Sequence, residues 1–260
     1  MWKCLKHFIT WNINGKANQA FPTIFMNIWD RKLKEKNLML SILKVIAAGN
    51  HKLGKIATML SISQASITQY LKILMELDII EREVPITDEN PEKSKKGLYR
   101  IKDNYLRFWF RFVYPYKGML ETGMEDYVLD KIRANFIDNH VAFIYEEICR
   151  ETLRNMKELP IAFNRIGRWW GEGDLEIDIV AYDSFGSDIL FGECKYSVNA
   201  KDVSVLHHLK EKASRVSWKK NEGRKEYYVI FSRSGFTKEL IDMAEEQKNI
   251  LLFDGEFQRK

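Results

Sequence analysis

Two apolar runs, "LEIDIVAYD" at 175–183 and "DILFGECKYS" at 188–197, constrain this chain more than any other feature. Each is short and rich in β-branched and aromatic residues, and a polar turn lies between them, so both read as buried strands. Side chains alternate faces along a strand, which groups Ile189, Phe191, Glu193 and Lys195 on one face, and Glu176, Asp178 and Val180 on another. Burying a carboxylate without a partner costs several kcal/mol. Two neighbouring strands that both carry acids therefore point to a shared site, and a divalent cation is the simplest occupant. Oxygen ligands suit Mg²⁺ or Mn²⁺, and Lys195 is left to orient or activate a water or to stabilise developing charge. The competing reading is a buried carboxylate–lysine ion pair with no metal.

The surrounding pattern fits an α/β core. "FIDNHVAFIYEEICRETLRNM" reads as an amphipathic helix with a stripe of Val141, Ile144, Tyr145 and Ile148. On the helical wheel Glu146 falls beside Ala142, Cys149 and Leu153 at the edge of the inward face, which makes it the helix's contribution to the site. Strands follow at "NRIGRWWG" and at the two runs above. Then come a helix at "KDVSVLHHLKEKASRV", a strand at "EYYVIFSRS", a helix at "TKELIDMAEEQ" and a strand at "NILLFDG". This order gives an αβββαβ core with a mixed sheet over residues 136–260, and α+β overall. Arg165, Arg168, Trp169 and Trp170 precede the acidic strands and are placed to line a substrate groove, with core packing an equally ready reading for the two tryptophans.

The N-terminal half has a different rhythm. "NLMLSILKVIAAG" has helical spacing and stops at Gly49, "KLGKIATMLS" is a second short helix, and Ser63 caps a third that runs to about Leu77. A strand "IIEREVPI", a polar tip "TDENPEKSKK" and a returning strand "GLYRIKD" complete a winged helix-turn-helix at 37–103. It follows a short helical segment at 1–36, and a helical connector at 104–135 leads to the second domain. On the third helix Gln64, Ser66, Thr68, Gln69 and Lys72 can reach base edges or phosphates, and Lys93, Lys95 and Lys96 of the wing can touch the backbone. A net charge of +5 permits such a role without requiring it. "GNHKLGKI" at 49–56 imitates a phosphate loop, but Ile56 stands where a magnesium-binding hydroxyl is needed and the stretch follows a helix, so no ATP binding is expected. No apolar run reaches the ~18–20 residues of a membrane span. Three scattered cysteines suit a reduced, cytoplasmic protein.

The residues "EIDIVA" and "ILFGECK", preceded by "FIYEEICRETL", resemble the PD-(D/E)xK nuclease superfamily. The longer set "ILKVIAAG", "SQASITQYLKIL", "EREVPIT", "SKKGLYRIKDNYLRFWFRFVYP", "GRWW", "EIDIVA" and "ILFGECK" is similar to the C-terminal region of a predominantly archaeal ATPase family. The resemblance implies an active-site-like set of Glu146, Asp178, Glu193 and Lys195, with Asp178, Glu193 and Glu146 directed at the metal. It also implies a truncated or split relative without the N-terminal ATPase domain, for which a separate ATPase protein is a candidate partner. The expectation is a DNA-binding protein with a metal-dependent nuclease domain. The alternative is a non-catalytic regulatory or interaction module.

Overall fold

The structure, a computed structural model, describes residues 33–173 and 175–258. Most of the segment 1–36 lies outside them. The described residues form two compact units, one of residues up to 83 with 95–136, the other of 84–94 with 137 onward.

In the first unit three helices precede a hairpin: α1 (Leu33–Ala47), α2 (Leu53–Leu60) and α3 (Gln64–Glu76), then β1 (Ile80–Glu83) antiparallel to β2 (Leu98–Ile101). Gly49 ends the first helical stretch at φ +96°, a conformation that favours glycine. The turn between α2 and α3 is the three residues 61–63, with Ser61 left-handed at φ +53°. Ser63 caps α3 by accepting a 3.3 Å hydrogen bond from the Ser66 amide. The inward stripe is Ile67, Leu71 and Leu74, fully buried against Met39, Ile42, Leu43 and Ile56. A bridge between Lys52 and Leu98 adds a short third strand to the wing. The connector consists of α4 (Asn104–Phe108), α5 (Lys117–Glu121) and α6 (Glu125–Phe136). A 3₁₀ turn at Tyr114–Tyr116 falls where Pro115 breaks the aromatic helix.

The first strand of the wing is shorter than its sequence suggests. Pairing stops at Glu83, and residues 84–94, read from sequence as strand end and wing tip, cluster with the second unit. There the Ile86 amide donates to the Arg168 carbonyl at 2.9 Å, and the Tyr182 hydroxyl donates to the Ile86 carbonyl at 2.9 Å. Gly167 leaves the space that Ile86 fills: a Cβ at position 167 would stand 3.1 Å from Ile86 Cδ1.

The second unit is a five-stranded mixed sheet. After α7 (Ala142–Asn155) come β3 (Arg165–Trp170), β4 (Glu176–Tyr182) and β5 (Asp188–Lys195), then α8 (Val203–Ala213), β6 (Lys225–Ser232), α9 (Lys238–Glu246) and β7 (Ile250–Phe253). Strand order follows the chain, with β3–β4–β5 antiparallel and β5–β6–β7 parallel. The parallel pairs are joined by α8 and α9, as parallel neighbours require. One face packs Phe191, Ile189 and Ile230 with Leu206, Leu209 and Ala213 of α8 and Leu240 of α9. The other packs Ile179, Leu190, Cys194 and Val229 with Tyr145, Cys149 and Leu153 of α7. The buried stripe of α7 is thus Tyr145, Cys149 and Leu153. Ile148, expected inside, is 45% exposed. The helix is rotated toward its Glu146 edge, because Arg150 turns inward to donate to the Asp178 carbonyl at 2.9 Å.

Candidate functional site

The site forms where β4 begins and β5 ends. Gly167 pairs with Val180 while Trp169 pairs with Ile177, so two steps along β3 match three along β4. The extra residue makes a bulge at Asp178–Ile179. A bulge breaks alternation and re-aims side chains. Ile177 and Val180 consequently enter the same core, whereas Ile179 and Ala181 enter the other. The expected common face of Glu176, Asp178 and Val180 is therefore corrected: Val180 is core, and Glu176 leaves to meet Arg168 at 3.0 Å. Asp178, on the bulge, reaches across to β5 and accepts a 2.8 Å hydrogen bond from the Cys194 amide through Oδ2.

The strand β5 keeps its alternation, so Glu193 and Lys195 continue the Phe191 side and Cys194 falls in the opposite core. Lys195 Nζ lies 2.5 Å from Glu193 Oε1. A second lysine, Lys212 in the last turn of α8, lies 3.1 Å from Oε1 and 3.0 Å from Oε2 of the same carboxylate. Glu193 is only 7% exposed, yet both its oxygens are bonded to ammonium groups. Glu146 approaches from α7, 3.4 Å from Arg168 Nε and 3.7 Å from Arg150 Nη1.

Electrostatics ties these groups together. Burial first, and then the charges of Glu146 and Glu193, raise the Asp178 carboxyl to about 7 against the partial opposition of the Cys194 amide and Lys195. For Lys195, burial alone would lower the ammonium, but the charge and hydrogen bond of Glu193 outweigh it and hold the group above its ordinary value. Burial pushes the Cys194 thiol well up, with help from its neighbour Cys149, so Cys194 is not poised as a nucleophile.

The structure brings Asp178, Glu193 and Lys195 together, with Glu146 beside them inside an arginine cluster. Among the described residues no group of three or more His, Cys, Asp or Glu side chains is arranged to hold a metal ion. Mg²⁺ keeps most of its waters and commonly takes one or two protein carboxylates plus substrate phosphate. Asp178 and Glu193 fit that smaller requirement in donor type, provided an ammonium leaves Glu193. Arg168 is 5% exposed and Trp169 and Trp170 are 7% exposed. These three are not open groove residues, and Trp169 belongs to the core. Arg150 and Lys212 are the functional-site neighbours that sequence reasoning missed. Arg150 stands four residues after Glu146 on one helix, a spacing that signals a pair. Lys212 gave no local signal.

In the first unit Gln64, Thr68, Gln69 and Lys72 of α3 are exposed and Ser66 is half-buried. Two hydroxyls are used internally: Thr68 donates to the Gln64 carbonyl at 2.8 Å, and Ser66 Oγ accepts from Ser63 Oγ at 3.0 Å. Lys93, Lys95 and Lys96 are also exposed.

The chain is thus a mixed α+β protein with a helix-turn-helix unit and a mixed-sheet unit. Residues 37–82 match the family described as bacterial regulatory protein, arsR family, and residues 109–210 match the one described as archaea bacterial proteins of unknown function. Over 228 residues it is 36% identical to an uncharacterized protein of Methanocaldococcus jannaschii, covering 86% of this chain and 48% of that protein. The chain spans about half the length of that curated relative. A solved structure described as the EndoMS–dsDNA2 complex is similar at 14% identity and a TM-score of 0.29, with 44% of each chain covered. Among the described residues no helix is long and apolar enough to cross a membrane.

Proposed function

We propose that the chain binds DNA through its helix-turn-helix and that its second unit hydrolyses phosphodiester bonds with a divalent cation. The observation that carries the reading is the junction of β4 and β5. Asp178, re-aimed by the bulge, is hydrogen-bonded to the residue between Glu193 and Lys195. An acid, a second acid and a lysine from adjacent strands are thus joined at one point of a buried sheet. Magnesium or manganese held by Asp178 and Glu193 would supply a Lewis acid for a phosphoryl oxygen. Lys195, 37% exposed, can orient a water or offset charge on the phosphate. Glu146, held by Arg150 and Arg168, adds negative charge beside Asp178 and assists directly or through water. For the first unit, support comes from the exposed α3 face, where Gln69 can address base edges and Lys72 a phosphate.

Calorimetry with Mn²⁺ on the native chain and on Asp178→Ala, run beside cleavage assays on plasmid, branched and single-stranded DNA, tests the nuclease reading. Uptake lost in the variant supports it. No uptake and intact DNA in every assay reject it. DNA retention that weakens steeply with salt, and whose salt slope falls by about 1 in Lys72→Ala, tests the helix-turn-helix role.

A second reading, a non-catalytic regulatory module, is favoured by one specific feature. Glu193 is hydrogen-bonded by two lysines and Glu146 is ion-paired with two arginines, so both acids are neutralised by protein cations. A separate ATPase protein as partner rests on the sequence resemblance alone, and its test is co-purification of the two chains. Placement in the cytoplasm is likewise a proposal, in keeping with the free buried pair Cys149 and Cys194.

A further inference from the structure

Glu193 has more positive charge on it than it needs. One ammonium neutralises a buried carboxylate, yet Lys195 and Lys212 both bond to it, at 2.5 Å and at 3.0–3.1 Å. Two like charges at one acid repel each other, so something other than neutrality accounts for the second lysine. The two differ in how they are held. Lys195 is fixed to the same strand, two residues from Glu193. Lys212 comes from the last turn of a separate helix and makes the longer contacts, one to each oxygen; it is 27% exposed against 37% for Lys195. Its stem can carry the charge out to water, and the C-terminal turn of α8 remains a favourable place for a cation.

We propose that Lys212 is a placeholder cation that competes with a divalent metal for Glu193 and leaves when the metal arrives. The proposal rests on the reading of Asp178 and Glu193 as a metal pair. Both Glu193 oxygens are engaged, and Oε2 by Lys212 alone, so a metal that takes Oε2 must displace Lys212. While the metal is absent, Lys212 holds the carboxylate folded inward at the end of β5. It therefore sets the metal concentration at which the site loads.

The test is Mn²⁺ calorimetry on the full chain, without DNA, comparing the native protein with Lys212→Gln and Lys212→Arg. Thermal unfolding in chelator serves as the folding control. Glutamine retains a donor for Glu193 but removes the competing charge, so Lys212→Gln is expected to bind Mn²⁺ roughly five- to tenfold more tightly. Lys212→Arg keeps the charge and is expected to bind within about twofold of native. Equal or weaker binding by Lys212→Gln, with the native chain binding normally, overturns the placeholder role and leaves the metal pair standing. No uptake by either the native chain or Lys212→Gln overturns the metal pair, and the placeholder role falls with it.

Discussion

The carboxylate of Asp178 accepts the amide proton of Cys194 at 2.8 Å, and this bond makes a site out of two ordinary strands. It uses a backbone donor that the sheet would otherwise pair elsewhere, at the one place where β4 carries an extra residue against β3. The bulge gives Asp178 its reach, and the bond fixes where its second oxygen can point.

Asp178 makes stability depend on pH. Its carboxyl stands at about 7 in the folded chain against 3.8 ordinarily, so the folded state holds a proton that the unfolded state has released between those values. Stability from this residue is therefore greatest below 3.8 and is lost as pH rises through 7. Asp178→Asn, neutral throughout, should melt higher than the native chain at pH 8 and by a clearly smaller margin at pH 5, both in chelator. Equal gaps at the two pH values would count against the buried, repelled carboxylate.

Gly192 lies on β5 beside Glu193, paired with Ile179 of β4 and Val229 of β6. A Cβ there would stand 2.7 Å from Val229 Cγ1 and 2.8 Å from Ile179 Cβ, squeezed between β4 and β6. Gly192→Ala should cost ~1–3 kcal/mol by overpacking, read from urea unfolding. It should also weaken Mn²⁺ uptake more than its stability cost alone explains, because Glu193 is the next residue.

The succession of strands and covering helices along the chain was legible in the sequence, since apolar runs of four to eight residues between turns leave few other assignments. Residues 175–183 gave no sign of the bulge, because "EIDIVAY" alternates well enough on its own and the irregularity exists only relative to β3. Lys212 was illegible for a related reason. A lysine at a helix end normally faces water, and only the tertiary approach of α8 to β5 brings it to Glu193. Arg168 was misjudged as groove-lining because sequence says nothing of the acids waiting for it on α7 and β4.

Those acids make Arg168 a structural residue. Its guanidinium is buried between Glu146, 16% exposed, and Glu176, 49% exposed. Removing one member of a buried ion-pair set strands the charge of the others, at ~3–5 kcal/mol. Arg168→Met should fall at or somewhat below the lower end, since Glu176 can turn to water and Arg150 still faces Glu146. Urea unfolding checks the size. Restoration of most of the loss in Arg168→Met/Glu146→Gln would identify Glu146 as the stranded charge.

Ile86 supplies the last prediction, because it ties the segment 84–94 to the second unit with two backbone bonds and one side chain. The amide is held by Arg168, the carbonyl by the Tyr182 hydroxyl, and the side chain by the gap over Gly167. Tyr182→Phe removes the donor to a sheltered carbonyl, at ~1 kcal/mol. Gly167→Val would place a branched side chain where Ile86 Cδ1 and Cβ already stand within 3.1–3.2 Å of the new Cβ, so the segment must lift. Amide exchange separates the two effects. In Tyr182→Phe the Ile86 amide should exchange only modestly faster, about fivefold for that energy. In Gly167→Val it should lose most of its protection, because the bond to Arg168 cannot survive displacement of the side chain beside it. Unchanged Ile86 protection in Gly167→Val would mean that the backbone bonds hold the segment without the side chain.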